Sequence, residues 1–315
     1  MNDNLIVSVS PHYHKQGATT QRVMLDVLIA LCPALIAGTV IFGFRTLMLT
    51  AVSAANCVLL ESIWNRLMKK TDTIADLSAV VTGVLIAFNV PVTMPIWQLL
   101  IGDFIAIIIV KMLFGGLGCN FVNPALVGRV CMMLSFTSSM TAYQTSVAKV
   151  DVLSSATPLS ALPGLHLNNL GTLLLGQHGG MIGETCAVAL ILGGIYLCVR
   201  GVIKPTIPVW YVCSVFVFTF LFNGFNAERA ILSVFAGGLM LGAIFMATDY
   251  VTSPMTGKGR VIFAVGCGLI LFVIRFGEKT YPEGCSFAIL FMNVCTPLID
   301  RWTEPKYFGE AKKHG

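Results

Sequence analysis

Thr157 closes the run Asp151-Val152-Leu153-Ser154-Ser155-Ala156-Thr157, which Pro158 and Leu159 follow. The order Asp-x-x-Ser-x-Ala-Thr resembles the target sequence at which a flavin transferase esterifies a threonine hydroxyl with the phosphate of FMN. A threonine hydroxyl is too weak a nucleophile to attach itself, so loading requires an external enzyme. Asp151 and Ser154 then serve recognition and not redox chemistry. The alternative is local, because Ser and Thr ahead of an apolar run commonly cap helices.

Asn120 and Asn123 stand three residues apart behind Gly115-Gly116-Leu117-Gly118. That spacing puts both amides on one side of a helical turn. A carboxamide offers a donor and an acceptor side by side, matching the N–H and C=O edge of an isoalloxazine ring. The glycines would let a planar ring approach the backbone. Capping of a half-helix by both asparagines is the alternative.

Asp103 and Arg129 lie deepest in apolar surroundings, where a charge is costly. They could pair, or line an ion path, and Arg129 could neutralise a reduced flavin. Lys111 is expected to snorkel from the end of its apolar stretch. Asp26, Glu61, Asp76 and Glu184 sit at stretch ends, where interface and capping roles are expected. Asp249 leads a polar turn whose Thr252 and Ser253 could coordinate a cation, and an Asx-type turn explains the same residues. His12 and His14 lack a third ligand, and His166 and His178 lack ligand-spaced company. The ten cysteines include no Cys-x-x-Cys pair, so they are expected to act as small apolar packing residues. No metal site and no Fe–S cluster are expected.

These residues must be positioned by a chain that is 56% hydrophobic and only 11% charged, with a mean hydropathy of +0.83. Apolar stretches long enough to cross a bilayer core of about 30 Å recur along it. Ten are read, at 23–44, 46–64, 74–92, 95–114, 121–138, 181–199, 207–223, 229–247, 260–276 and 284–299. With a cytoplasmic start, thirteen Lys and Arg fall on inside segments and five on outside segments. Basic flanks resist translocation, so both termini are expected to be cytoplasmic and Thr157 outside. The net charge of +5 then reports orientation, and nucleic-acid binding does not follow from it.

The expected organisation is a cytoplasmic leader (1–22), a first five-helix half (23–138), an extracytoplasmic loop with the flavin attachment (139–180), a second half (181–299) and a cytoplasmic tail (300–315). Five spans per half give the halves opposite orientation, the geometry of an inverted repeat. Breakers interrupt several spans, at Asn89-Val90-Pro91, Gly115 to Pro124, Thr248 to Pro254 and Asn293 to Pro297. Non-helical backbone at membrane depth needs protein or a wet cavity to satisfy it. The fold class expected is therefore an all-α polytopic membrane protein with broken helices.

Five ordered motifs carry a more specific resemblance: Ser10-Pro11-His12-Tyr13-His14, Lys111 through Ala125, Ser154 through Leu159, Ala247 through Pro254, and Tyr281-Pro282-Glu283-Gly284. Together they resemble the NqrB/RnfD family over residues 10–309. The resemblance implies a membrane subunit of the Rnf ion-translocating electron transport complex, passing electrons between reduced ferredoxin and NAD partners with movement of Na+ or H+. It implies covalent FMN on Thr157, a noncovalent riboflavin held by Asn120 and Asn123, and a bacterial inner-membrane location. Implied partners are the flavoprotein G subunit, the membrane-embedded A and E subunits, and the flavin transferase. Ser155 departs from the usual glycine, which could slow modification. An inverted-repeat solute channel without redox role is the competing reading, because the same span count describes it.

Overall fold

Thr19 accepts a hydrogen bond from Arg22 N and caps α1, Thr20–Phe42. Gly43, at φ 86°, alone separates it from α2, Phe44–Leu67. Only glycine takes that φ without strain, so two antiparallel helices of about 35 Å each follow one another directly. The computed structural model describes residues 19–70, 73–144, 170–176, 178–277 and 284–304.

The remaining helices are α3 (Ser78–Phe88), α4 (Ile96–Phe104), α5 (Pro124–Ser135), α6 (Thr137–Met140), α7 (Leu170–Leu175), α8 (Ala187–Arg200), α9 (Thr206–Phe222), α10 (Ala227–Phe235), α11 (Leu239–Leu241), α12 (Gly257–Gly277) and α13 (Cys285–Thr303). Two segments are π-helical: Ile105–Met112, continuing α4, and Gly242–Met246, continuing α11. No strand occurs among the described residues. The protein is all-α, as the sequence predicts.

Each of the ten apolar stretches holds a helix, but unbroken length is rarer. Three helices are long and apolar enough to cross a membrane alone: Thr20–Phe42, Phe44–Leu67 and Gly257–Phe276. The pair Ala227–Phe235 and Leu239–Met246 makes a fourth, bent by 66°. α3 and α5 have only 11 and 12 residues, because Asn89-Val90-Pro91 ends one and the glycine-rich approach delays the other.

Large apolar side chains face outward along the long helices: Ile36, Val40, Leu59, Ile63, Val199, Phe222 and Val273 are all more than half exposed. Such a surface is at home in hydrocarbon and would be an aggregation hazard in water. Polar groups turn inward instead, with Thr46, Ser53, Glu61, Asn65, Asp103, Arg129 and Glu184 all buried. This is a multi-pass membrane protein.

The packing joins α1 to α8 and α5 to α13, and so ties the two halves together. Where helices break, their loose ends meet. Ile182 N donates to Val90 O at 3.1 Å and Gly183 N to Phe88 O at 2.8 Å. Backbone groups freed at membrane depth are thus satisfied by other broken backbone.

Candidate functional site

Three glycines with positive φ, Gly115, Gly116 and Gly118, turn the chain from the π-helical end of α4 into the start of α5. The turn delivers Asn120 and Asn123 to a partly open cavity at the end of the bundle that carries the Thr248–Val251 turn. Met24, Val27, Leu85, Leu197 and Phe245 supply apolar walls, and Asn120, Asn123, Thr248 and Asp249 supply polar groups. Apolar walls with a few convergent polar groups are the general character of a small-molecule site.

The two asparagines are not equivalent. Asn123 is the N-cap of α5: its Oδ1 accepts from Ala125 N at 3.0 Å and Leu126 N at 3.4 Å. Its Nδ2 donates to Met246 O at 3.2 Å, which satisfies a carbonyl at the end of the second π segment. Both faces of that amide are therefore engaged, as the capping alternative expects. Asn120 Nδ2 donates to Val122 O at 3.1 Å, and its side chain also bonds Asp249. Of the two, Asn120 is the better placed to meet a ligand edge, with Asn123 holding the turn in shape.

Asp249 organises its own turn. Thr252 Oγ1 donates to its Oδ2 at 3.2 Å and Ser253 N to its carbonyl at 3.1 Å. The backbone of Val251, two residues on, also hydrogen-bonds the Asp249 side chain, the Asx-type arrangement that the sequence admits.

Arg129 does not line the cavity. Its Nη1 lies 2.8 Å from Glu184 Oε1 and donates to Asn89 Oδ1 at 2.6 Å. The pairing of Arg129 with Asp103 that their depth allowed does not form; Asp103 is hydrogen-bonded by Ser53 and Asn56. Two further expectations are corrected. Lys111 does not snorkel: it is 2% exposed and lies 2.8 Å from Glu61 Oε2, because a facing carboxylate makes the interior less costly than stretching to the surface. Glu61 and Glu184 are buried members of ion pairs instead of interface residues. Asp76 does cap, accepting from Ser78 N at 2.9 Å, and Asp26 ties α1 to α8 through Tyr196 and Arg200.

His178, between α7 and α8, holds Gly179 O at 3.1 Å from its Nδ1, and burial lowers its pKa. Thr157, Asp151 and Ser154 lie outside the described residues, as do His12, His14 and His166.

An all-α bundle with inward polar groups, cross-braced broken helices and a cavity at the helix breaks defines a polytopic membrane protein built around an internal site. Residues 6–309 match the NQR2, RnfD, RnfE family, and the chain belongs to that family. It is 44% identical to the D subunit of the Na+-translocating ferredoxin:NAD+ oxidoreductase complex of Acetobacterium woodii, covering 99% of this chain and 98% of the relative. It is 39% identical to the D subunit of the proton-translocating complex of Clostridium ljungdahlii, over 97% of this chain and 96% of the relative. The D subunit of an ion-translocating oxidoreductase complex from Actinobacillus succinogenes is 35% identical over 95% of this chain and 96% of the relative.

Proposed function

We propose that this chain is the D-type membrane subunit of an ion-translocating ferredoxin:NAD+ oxidoreductase complex and carries electrons within it. The observation that carries this reading is 44% identity over 99% of the chain to a subunit so named, with the Asp151–Thr157 and Asn120–Asn123 motifs both in place. The reading includes FMN as a phosphoester on Thr157, attached by a flavin transferase on the outer side of the bacterial inner membrane, and both termini in the cytoplasm. A noncovalent riboflavin occupies the cavity beside Asn120. Bound flavin supplies electron transfer, and the protein supplies position and electrostatics.

The residues have separable roles. Asn120 offers its amide to the ring edge while Asn123 fixes the start of α5, directly after the turn that carries Asn120. Met24, Val27, Leu85 and Phe245 exclude water from the ring faces. The flavoprotein G subunit and the membrane-embedded A and E subunits are the proposed electron-transfer neighbours. Broken helix ends that bond one another at Phe88, Val90, Ile182 and Gly183 favour a sealed redox scaffold over a solute channel.

Membranes from cells lacking this chain should lose ferredoxin-dependent NAD+ reduction, and re-expression should restore it. Unchanged activity in the deletion strain would contradict the assignment.

A further inference from the structure

Asp103 is fully buried on α4, two residues before the chain changes to π-helical geometry at Ile105. Its Oδ1 lies 2.7 Å from Ser53 Oγ, its Oδ2 lies 3.0 Å from Asn56 Nδ2, and the Cys57 thiol also bonds it. All three partners are on α2 and all are uncharged. Ser53 Oγ has a second close neighbour, Gly83 O on α3, at 2.9 Å. The approach of α3 that makes this possible depends on glycine, since a Cβ at Gly83 would lie 2.8 Å from Ser53 O.

A serine hydroxyl has a single hydrogen to donate. A carboxylate oxygen and a backbone carbonyl are both acceptors, so with Asp103 ionised one of the two short contacts at Ser53 would have no hydrogen in it. A proton on Asp103 Oδ1 satisfies both. Oδ1–H donates to Ser53 Oγ, Ser53 donates to Gly83 O, Oδ2 accepts from Asn56, and the Cys57 thiol bonds the same carboxyl group.

The surrounding charges agree. α4 packs against α2, α3 and α5. On α2, Glu61 is paired with Lys111 of the π segment at 2.8 Å, and Lys111 also donates to Ser78 Oγ of α3 at 2.6 Å. On α5, Arg129 is paired with Glu184. Each of these cations thus has its own anion, and an ionised Asp103 would be left as an uncompensated buried charge, which low-dielectric surroundings strongly disfavour.

We propose that Asp103 is a proton-binding site inside the membrane bundle, holding its proton as a neutral carboxylic acid at neutral pH. π-helical turns inserted in α-helices recur at functional sites, and this one begins beside the protonated group. The site is independent of the flavin assignment, because none of its atoms line the Asn120 cavity.

The test is infrared difference spectroscopy of the intact complex at neutral pH, wild type against Asp103→Asn. Asparagine reproduces the neutral acid's hydrogen bonds, with its amide nitrogen donating to Ser53, so the variant should fold. The wild type should show a carboxylic-acid carbonyl band that moves on deuteration and is lost in the variant. Carboxylate stretching bands in its place, whether or not they respond to Na+, would overturn the proposal. Should Asp103→Asn fail to accumulate, Ser53→Ala removes the acceptor of the acid proton. The acid band should then move to higher frequency, and an unmoved spectrum would equally overturn it.

Discussion

Arg129 Nη1 and Glu184 Oε1 lie 2.8 Å apart, with both side chains 3% exposed. The pair joins α5 of the first half to the segment that enters α8 of the second, and Arg129 also holds Asn89 at the break after α3. Gly238 leaves the space that Glu184 occupies, for a Cβ there would strike its carboxylate. The ion pair and its Asn89 contact therefore fasten three interrupted pieces of chain, with Gly238 of a fourth packed against them.

Removing one partner leaves a buried charge alone, at a cost of about 3–5 kcal/mol. Arg129→Met and Glu184→Gln should each lose roughly that much unfolding free energy in SDS titration of the micellar protein. The double variant Arg129→Met/Glu184→Gln should recover most of it. Additive losses in the double variant would show that the two residues act independently.

The cavity makes a separate prediction. In a Thr157→Val background, extracted protein should still yield flavin, and Asn120→Leu should remove it. Asn123→Leu should lower flavin content too, and in addition cost about 1 kcal/mol through the lost N-cap. Full flavin retention in Asn120→Leu would restrict both asparagines to a structural role.

His178 links stability to pH. Burial depresses its folded-state pKa below the ordinary histidine value, so the unfolded chain binds the proton more readily. Stability is then complete above about pH 6.5 and falls as the pH drops below that value toward the folded pKa. His178→Gln should flatten this acid limb in thermal unfolding monitored at several pH values. An unchanged acid limb would mean that other groups govern it.

Orientation can be tested with fusions. The strong basic anchors are Arg66, Lys69 and Lys70 before the 139–180 segment and Arg200 and Lys204 after it. A reporter at Gly164 should behave as extracytoplasmic, and reporters at Lys69 or Lys258 as cytoplasmic. A cysteine replacing His166 should react with an impermeant maleimide in intact cells. The reverse pattern would place Thr157 on the side away from its proposed transferase.

The helical bodies are legible because apolar length is a one-dimensional property, and the breaks at Asn89-Val90-Pro91 and before Pro124 announce themselves by residue type. The π segment Ile105–Met112 contains no breaker, so its register change is set by packing that no local pattern records. Ion-pair partners are hidden for a related reason. Lys111 and Glu61 are fifty positions apart and Arg129 and Glu184 fifty-five, and sequence supplies charges without their neighbours. A usable signal did exist on α2, where Thr46, Thr50, Ser53, Cys57, Glu61 and Asn65, all buried, recur at steps of three and four. That period marks an inward polar face and would have moved Glu61 from the interface to the interior.

Intact mass of the purified chain tests the redox assignment most directly. The wild type should be heavier than its sequence by one FMN phosphoester, with fluorescence surviving denaturing electrophoresis, and Thr157→Val should show the bare sequence mass. An unmodified wild-type chain, or a modification retained in Thr157→Val, would contradict it.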